Sequence, residues 1–274
     1  MPSFQTQPYG TNPRPWAISG QFIGFCTLLV GSRRGENIRL DLRNVRLSAH
    51  NLLQIVNGGL PSLVRQGMAA IAVVLLNRYA NACGGDAAIA GMSIVNRVMM
   101  LLSSALIGFG QGYQPVCGFN YGAGRYDRVR GAFYFCVRLA SAVLFVLAVL
   151  GFLFAGPVTN LVAGASREAA DIAVFAFRAQ LVTLPLQAWV VLCNMMLQNI
   201  GATGKATLLA ISRQGLAFIP MVLLLPLLTG ALGAAPLLGI ELAQPASDVI
   251  SLLIAIPVGL SELKKMVCLT EGGE

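Results

Sequence analysis

Long apolar runs, separated by short charged or glycine-rich segments, set the pattern of this chain. The runs cover His50 to Ala80, Ala87 to Gly112, Gly131 to Phe154, Asp171 to Gln198, Ala206 to Leu228 and Ile240 to Leu260. Each is close to or above the roughly 20 residues with few charges that an α-helix needs to cross about 30 Å of hydrocarbon. They are continuous and rich in Leu, Val and Ala, whereas a membrane barrel would show alternating segments of about ten residues. An earlier apolar stretch, Ala17 to Gly31, is short for a full crossing. The expected fold is all-α and polytopic: a six-helix transmembrane bundle with a partial helix before it.

Glycine and proline punctuate these runs. Residues 108–130, GFGQGYQPVCGFNYGAGRYDRVR, contain Gly110, Gly112, Pro115, Gly118, Gly122 and Gly124. That density predicts a backbone that turns sharply or approaches another segment closely. Within the first run, Gly58, Gly59 and Pro61 predict an interruption, tolerated in a span where neighbouring groups re-satisfy the freed carbonyl. Asn81 to Asp86 and Gly156 to Glu168 read as loops, and Gly230 to Gly239 as a glycine-rich connection.

Composition sharpens this picture. The chain has 274 residues, 56% hydrophobic and 11% charged, against roughly 25% charged in soluble domains. A net charge of +8 invites a nucleic-acid partner, but the charges sit in short loops between apolar spans, and the bilayer is the expected surrounding. With His50 inside, the inner loops hold Arg33, Arg34, Arg39, Arg43, Arg46, Arg125, Arg128, Arg130, Lys205, Lys264 and Lys265, and the outer loops only Arg78 and Arg167. This asymmetry is the positive-inside pattern for six crossings. The six cysteines, Cys26, Cys83, Cys117, Cys136, Cys193 and Cys268, show no CxxC spacing and read as small buried hydrophobes rather than metal ligands. No nucleophile–base pair, phosphate-binding glycine loop or ligand cluster stands out, so neither an enzyme nor a metal site is expected.

Several segments together resemble the C-terminal lobe of the multidrug and toxic compound extrusion (MATE) transporters, in the bacterial multidrug-efflux branch. They are GLPSLVRQG (59–67), AGMSIVNRV (90–98), the 108–130 element, MMLQNIGATGKAT (195–207), SRQGLAFIP (212–220) and AQPASDVIS (243–251). The resemblance implies two six-helix lobes that rock to give alternating access, exchanging a cationic or amphiphilic drug for Na+ or H+, with no bound cofactor. It divides the chain into an unmatched tail (1–15), a remnant of the sixth helix with the cytoplasmic inter-lobe linker (16–49), the six-span lobe (50–265) and a cytoplasmic tail (266–274). The implied location is a bacterial plasma membrane with the C-terminus in the cytoplasm. The expected partner is the missing N-terminal lobe or a second copy. Two other readings stand: a fragment that inserts without transporting, and a flippase for lipid-linked sugars.

Ionisable residues inside spans are functional candidates by default. Arg65 with Gln66 and Asn96 with Arg97 could line a water-filled cavity, as could Arg213 with Gln214. Arg138, Arg178 and Arg213 also admit a reading as side chains that snorkel to headgroups. Asp248 is the one carboxylate well inside a span, a candidate for ion coupling or for pairing with an arginine. Gln187, Asn194 and Gln198 step by seven and four residues and so share one helix face, either toward a cavity or against a neighbouring helix. Gly59, Pro61, Gly110, Gln111, Gly112, Gln114, Pro115, Gly118, Asn120, Tyr121, Gly122 and Arg125 are expected to work mechanically, through close packing, bending and anchoring.

Overall fold

The computed structural model describes residues 22–27, 30, 48–163, 167–233 and 235–271. The expected tail at 1–15 lies outside the described residues, as does most of the expected linker at 16–49. The chain divides into two compact units, Met1–Leu53 and Gln54–Glu274. In the first, residues 22–27 are helical. Among the described residues no strand occurs.

The main helices are α1 (Ala49–Gly122), α2 (Tyr126–Leu153), a short α3 (Ala155–Ala163), α4 (Arg167–Thr183), α5 (Gln187–Asn199), α6 (Thr203–Ile211), α7 (Phe218–Ala231) and α8 (Pro236–Glu271). A 3-10 turn, Leu184–Leu186, joins α4 to α5, and a π-helical turn, Ser212–Ala217, joins α6 to α7. Five continuous helical stretches are long and apolar enough to cross a membrane: Leu63–Gly122, Tyr126–Leu153, Glu168–Asn199, Thr203–Ala231 and Pro236–Leu269. The first spans 60 residues, about 90 Å at 1.5 Å per residue, and it breaks at Gly85, where φ is 62° and ψ is −152°. A side chain is strained there, so glycine marks the reversal that makes two crossings of one helix. The six expected spans are therefore all present as helix.

Four expectations about the breaks are corrected. The helix passes without interruption through Gly58, Gly59 and Pro61, because one lost backbone hydrogen bond is tolerated inside a helix that is otherwise fully bonded. The loop expected at Asn81 to Asp86 contracts to Gly85 alone, and the one at Gly156 to Glu168 contains α3. The second crossing runs ten residues past Gly112, to Gly122. Of the glycines in 108–130 only Gly124, at φ 70°, takes the left-handed conformation. There the Arg125 amide donates to the Asn120 carbonyl (2.9 Å) and the Gly124 amide to the Tyr121 carbonyl (3.1 Å), the paired bonds of a Schellman helix end. The Tyr121 and Tyr126 rings meet edge-on across this turn at 5.4 Å.

The glycines that remain helical serve packing instead. A side chain on Gly110 would run into Met195 of α5, and one on Gly91 would come 2.9 Å from the carbonyl oxygen of Ala169 on α4. Of the other motif residues, Asn120 donates back to the Val116 carbonyl at 2.8 Å, and Gly59, Gly112 and Gly122 face open space. Gln111, Pro115 and Arg125 are exposed, Gln114 and Gly118 half-buried; the Pro61 side chain lies outside the described residues.

Helix α8 is the hub of the bundle, packing on α2, α4, α5, α6, α7 and both short turns. Gly233, at φ 77°, lies in the turn that joins α7 and α8 as a hairpin, and α8 continues to Glu271.

Candidate functional site

The polar residues of α4, α5, α7's approach and α8 converge on one carboxylate. Asp248 is 2% exposed. Its Oδ1 accepts from Arg213 Nε at 3.2 Å and from Gln244 Nε2 at 3.3 Å. Its Oδ2 accepts from Gln187 Nε2 at 2.9 Å and from Thr183 Oγ1 at 3.4 Å. A buried charge is stable only when paired and hydrogen-bonded, and here four donors from four elements meet the requirement. Gln187 Oε1 and Ser251 Oγ are buried beside this layer without a hydrogen-bond partner among the described residues.

Local sequence builds this arrangement. Gln187 and Thr183 are one turn apart, on either side of Pro185 and the 3-10 turn, so both reach toward α8. Gln244 and Asp248 are likewise four residues apart on one face of α8. Arg213 sits on the π turn, three residues into which Gly215 is approached closely by Met68. Pro220 follows, and proline cannot donate to the carbonyl one turn back. A π turn absorbs such a mismatch, and beside it Ser247 Oγ donates to the Arg213 carbonyl at 2.8 Å. Arg213 thus points into the bundle, its side chain 23% exposed, rather than out to the headgroups.

The remaining candidates are dispersed. Asn194 Nδ2 donates to the Ala206 carbonyl at 2.7 Å, tying α5 to α6, and Gln198 Nε2 donates to Asn194 Oδ1 at 2.6 Å. Arg65 is half-buried, while Gln66, Asn96 and Arg97 are exposed on α1. The side chain of Gln214 lies outside the described residues. Arg178 stacks over the Phe152 ring at 5.1 Å, and Arg138 is exposed on α2. Glu241 is 3% exposed, two turns before Asp248. Thr183, Gln244 and Ser247 are absent from the sequence-based set, although the four-residue spacing of Thr183 to Gln187 and of Gln244 to Asp248 is legible in the chain.

A second polar cluster lies at the end of the bundle that carries the basic turns. A cavity of about 470 Å³ is lined by Tyr121, residues 200–205, Glu262 and Lys265. Lys205 pairs there with Glu262, and Lys265 approaches the same carboxylate at 3.1 Å. The pair ties the start of α6 to the end of α8.

Six apolar crossings around a buried ionic layer define a polytopic helical membrane protein built like a transporter lobe. The MatE family model matches residues 61–224, and the chain belongs to that family, one of transporters. The chain is 24% identical over 217 residues to the multidrug export protein MepA of Staphylococcus haemolyticus, covering 79% of this chain and 47% of that protein. Among solved structures it is similar to an outward-facing multidrug resistance MATE transporter of the MOP superfamily, with TM-score 0.78 and 21% identity. An inward-facing conformation of such a transporter aligns with TM-score 0.72 and 21% identity. Each alignment takes in 91% of this chain, and 54% and 56% of the respective neighbours. The chain thus spans about half the length of the relatives it matches.

Proposed function

We propose that these residues form one lobe of an exporter that moves amphiphilic small molecules by alternating access, in exchange for Na+ or H+. The match of residues 61–224 to the MatE family carries this reading. Coverage of about half of each relative supports the one-lobe part of it. The opposing wall against which the lobe rocks comes from an N-terminal lobe or a second copy, since transporters of this kind place their site between repeats. The protein acts as a carrier, not an enzyme, and resides in a bacterial plasma membrane with its C-terminus in the cytoplasm. The basic turn Arg125–Arg130 and Lys205, Lys264 and Lys265 support that orientation.

The test is export in cells stripped of their own pumps. The chain joined to the N-terminal half of MepA is expected to lower accumulation of an amphiphilic dye, and collapse of the Na+ and H+ gradients to abolish the difference. Unchanged accumulation, with the joined protein present in the membrane, contradicts export and favours a non-transporting fragment.

A further inference from the structure

We propose that the cargo of this lobe carries an anionic oxygen group, a carboxylate or a phosphate, held by Arg97 on a polar stripe of α1. The inference rests on the transporter reading above. It begins from the exposed surface of the second half of α1, which divides into two strips. Arg97, Ser104 and Gln111 are all exposed and recur every seven residues, so they stack along one face over about 21 Å. Rotated from them to one side, Leu101, Ala105, Phe109, Val116 and Phe119 form an exposed apolar strip, while the exposed Met100 borders the polar line on its other side. A lipid-facing helix surface is apolar throughout. The apolar strip therefore meets lipid, and the polar strip turns toward water or an opposing wall.

The charge on that wall is positive. Arg97 has no hydrogen-bond or ion-pair partner among the described residues. The two buried carboxylates of α8, Glu241 near its start and Asp248 deeper in, are 3% and 2% exposed, and Asp248 is already paired with Arg213. Asp86, Glu168 and Asp171 lie at span ends. Of the other arginines within spans, Arg65 is half-buried on the first half of α1, Arg213 is paired with Asp248, Arg178 is covered by Phe152, and Arg138 is exposed beside the exposed apolar Phe135, Leu139 and Val143, a setting that favours snorkelling to headgroups. A guanidinium open to a water-filled cleft offers a fork of donors that matches carboxylate or phosphate oxygens and repels a cationic head. Ser104 and Gln111 add uncharged hydrogen-bonding groups along the same line.

The experiment uses the full chain in nanodiscs and three fluorescent amphiphiles with one tail, ending in a carboxylate, a phosphate monoester or a trimethylammonium. At least one anionic probe is expected to bind about tenfold or more tighter than the ammonium probe, the ratio a single charge-assisted hydrogen bond supplies; the tighter of the two names the group. Arg97→Gln should erase that preference, Arg97→Lys should keep part of it, and Arg138→Gln should leave it unchanged. A preference for the ammonium probe, or an anion preference that survives Arg97→Gln in a protein melting like the parent, overturns the inference while leaving the transporter reading intact. Binding of none of the three also overturns the inference, while the transporter reading stands or falls with export by the joined protein.

Discussion

Asp248→Ala is expected to destabilise the folded lobe by about 3–5 kcal/mol, the usual penalty for removing one partner of a buried ion pair. The cause is what stays behind. Arg213 keeps its charge inside the bundle, and Gln187, Thr183 and Gln244 lose the acceptor they share. Because Thr183 comes from the end of α4, Gln187 from the start of α5 and Arg213 from the π turn, one substitution loosens three segments from α8. The double variant Arg213→Met with Asp248→Leu should recover the part of the loss that comes from the unpaired guanidinium, since apolar residues often replace a buried pair at little cost, while Gln187, Thr183 and Gln244 stay without their acceptor. Unfolding of the purified protein in mixed micelles measures both. A single variant as stable as the parent, or a double variant no better than the single one, contradicts the assignment of this pair as the bundle's central tie.

Gly239→Val carries the second large effect. A β-carbon at Gly239 would lie 2.5 Å from the Leu225 carbonyl carbon and from the Pro226 nitrogen. Both are backbone atoms, so no side chain can swing aside, and relief requires α7 and α8 to separate. Overpacking usually costs about 1–3 kcal/mol and occasionally more; rigid backbone on both sides puts this site at the upper end. Little folded protein should be recovered from membranes, judged by a single symmetric peak in size-exclusion chromatography. Gly156→Ala is the matched control, because nothing lies within 4 Å of the added carbon, and it should change stability by less than about 0.5 kcal/mol. Equal yields from the two variants would mean that α7 and α8 do not touch as described.

The apolar runs made the spans legible, since a continuous stretch of Leu and Val with few charges has little alternative to a membrane helix. Where the helices break was much less legible. Glycine density through residues 108–130 pointed to a sharp turn or a close approach without saying which glycine does which, and the helix persists to Gly122 before turning at Gly124. In a bilayer no water competes for the backbone bonds, so helical glycines are free to serve close packing, as Gly110 does against Met195. The actual reversal falls at Gly85, inside the segment 81–86 that the sequence marks as a loop, although nothing in the local sequence separates it from the adjacent Gly84. The ionic layer was half legible. A lone carboxylate inside a span required a partner, but which arginine it met depended on the π turn, a local rotation that a regular 3.6-residue period does not contain. Gln187, Asn194 and Gln198 do lie on one helix, yet their partners are Asp248, the Ala206 carbonyl and Asn194, set by tertiary packing rather than by spacing.

The most direct test of a lobe with one wet wall is thiol labelling along α1 in intact membranes. In a background with the six native cysteines replaced, Ser104→Cys, Gln111→Cys, Phe109→Cys and Val116→Cys would be reacted with a water-soluble thiol reagent. Thiolates form readily in water and poorly in apolar surroundings. Fast labelling at 104 and 111 with slow labelling at 109 and 116 is the expected result. Equal rates at all four, or the reverse order, would contradict the division of this helix into a water-facing and a lipid-facing strip.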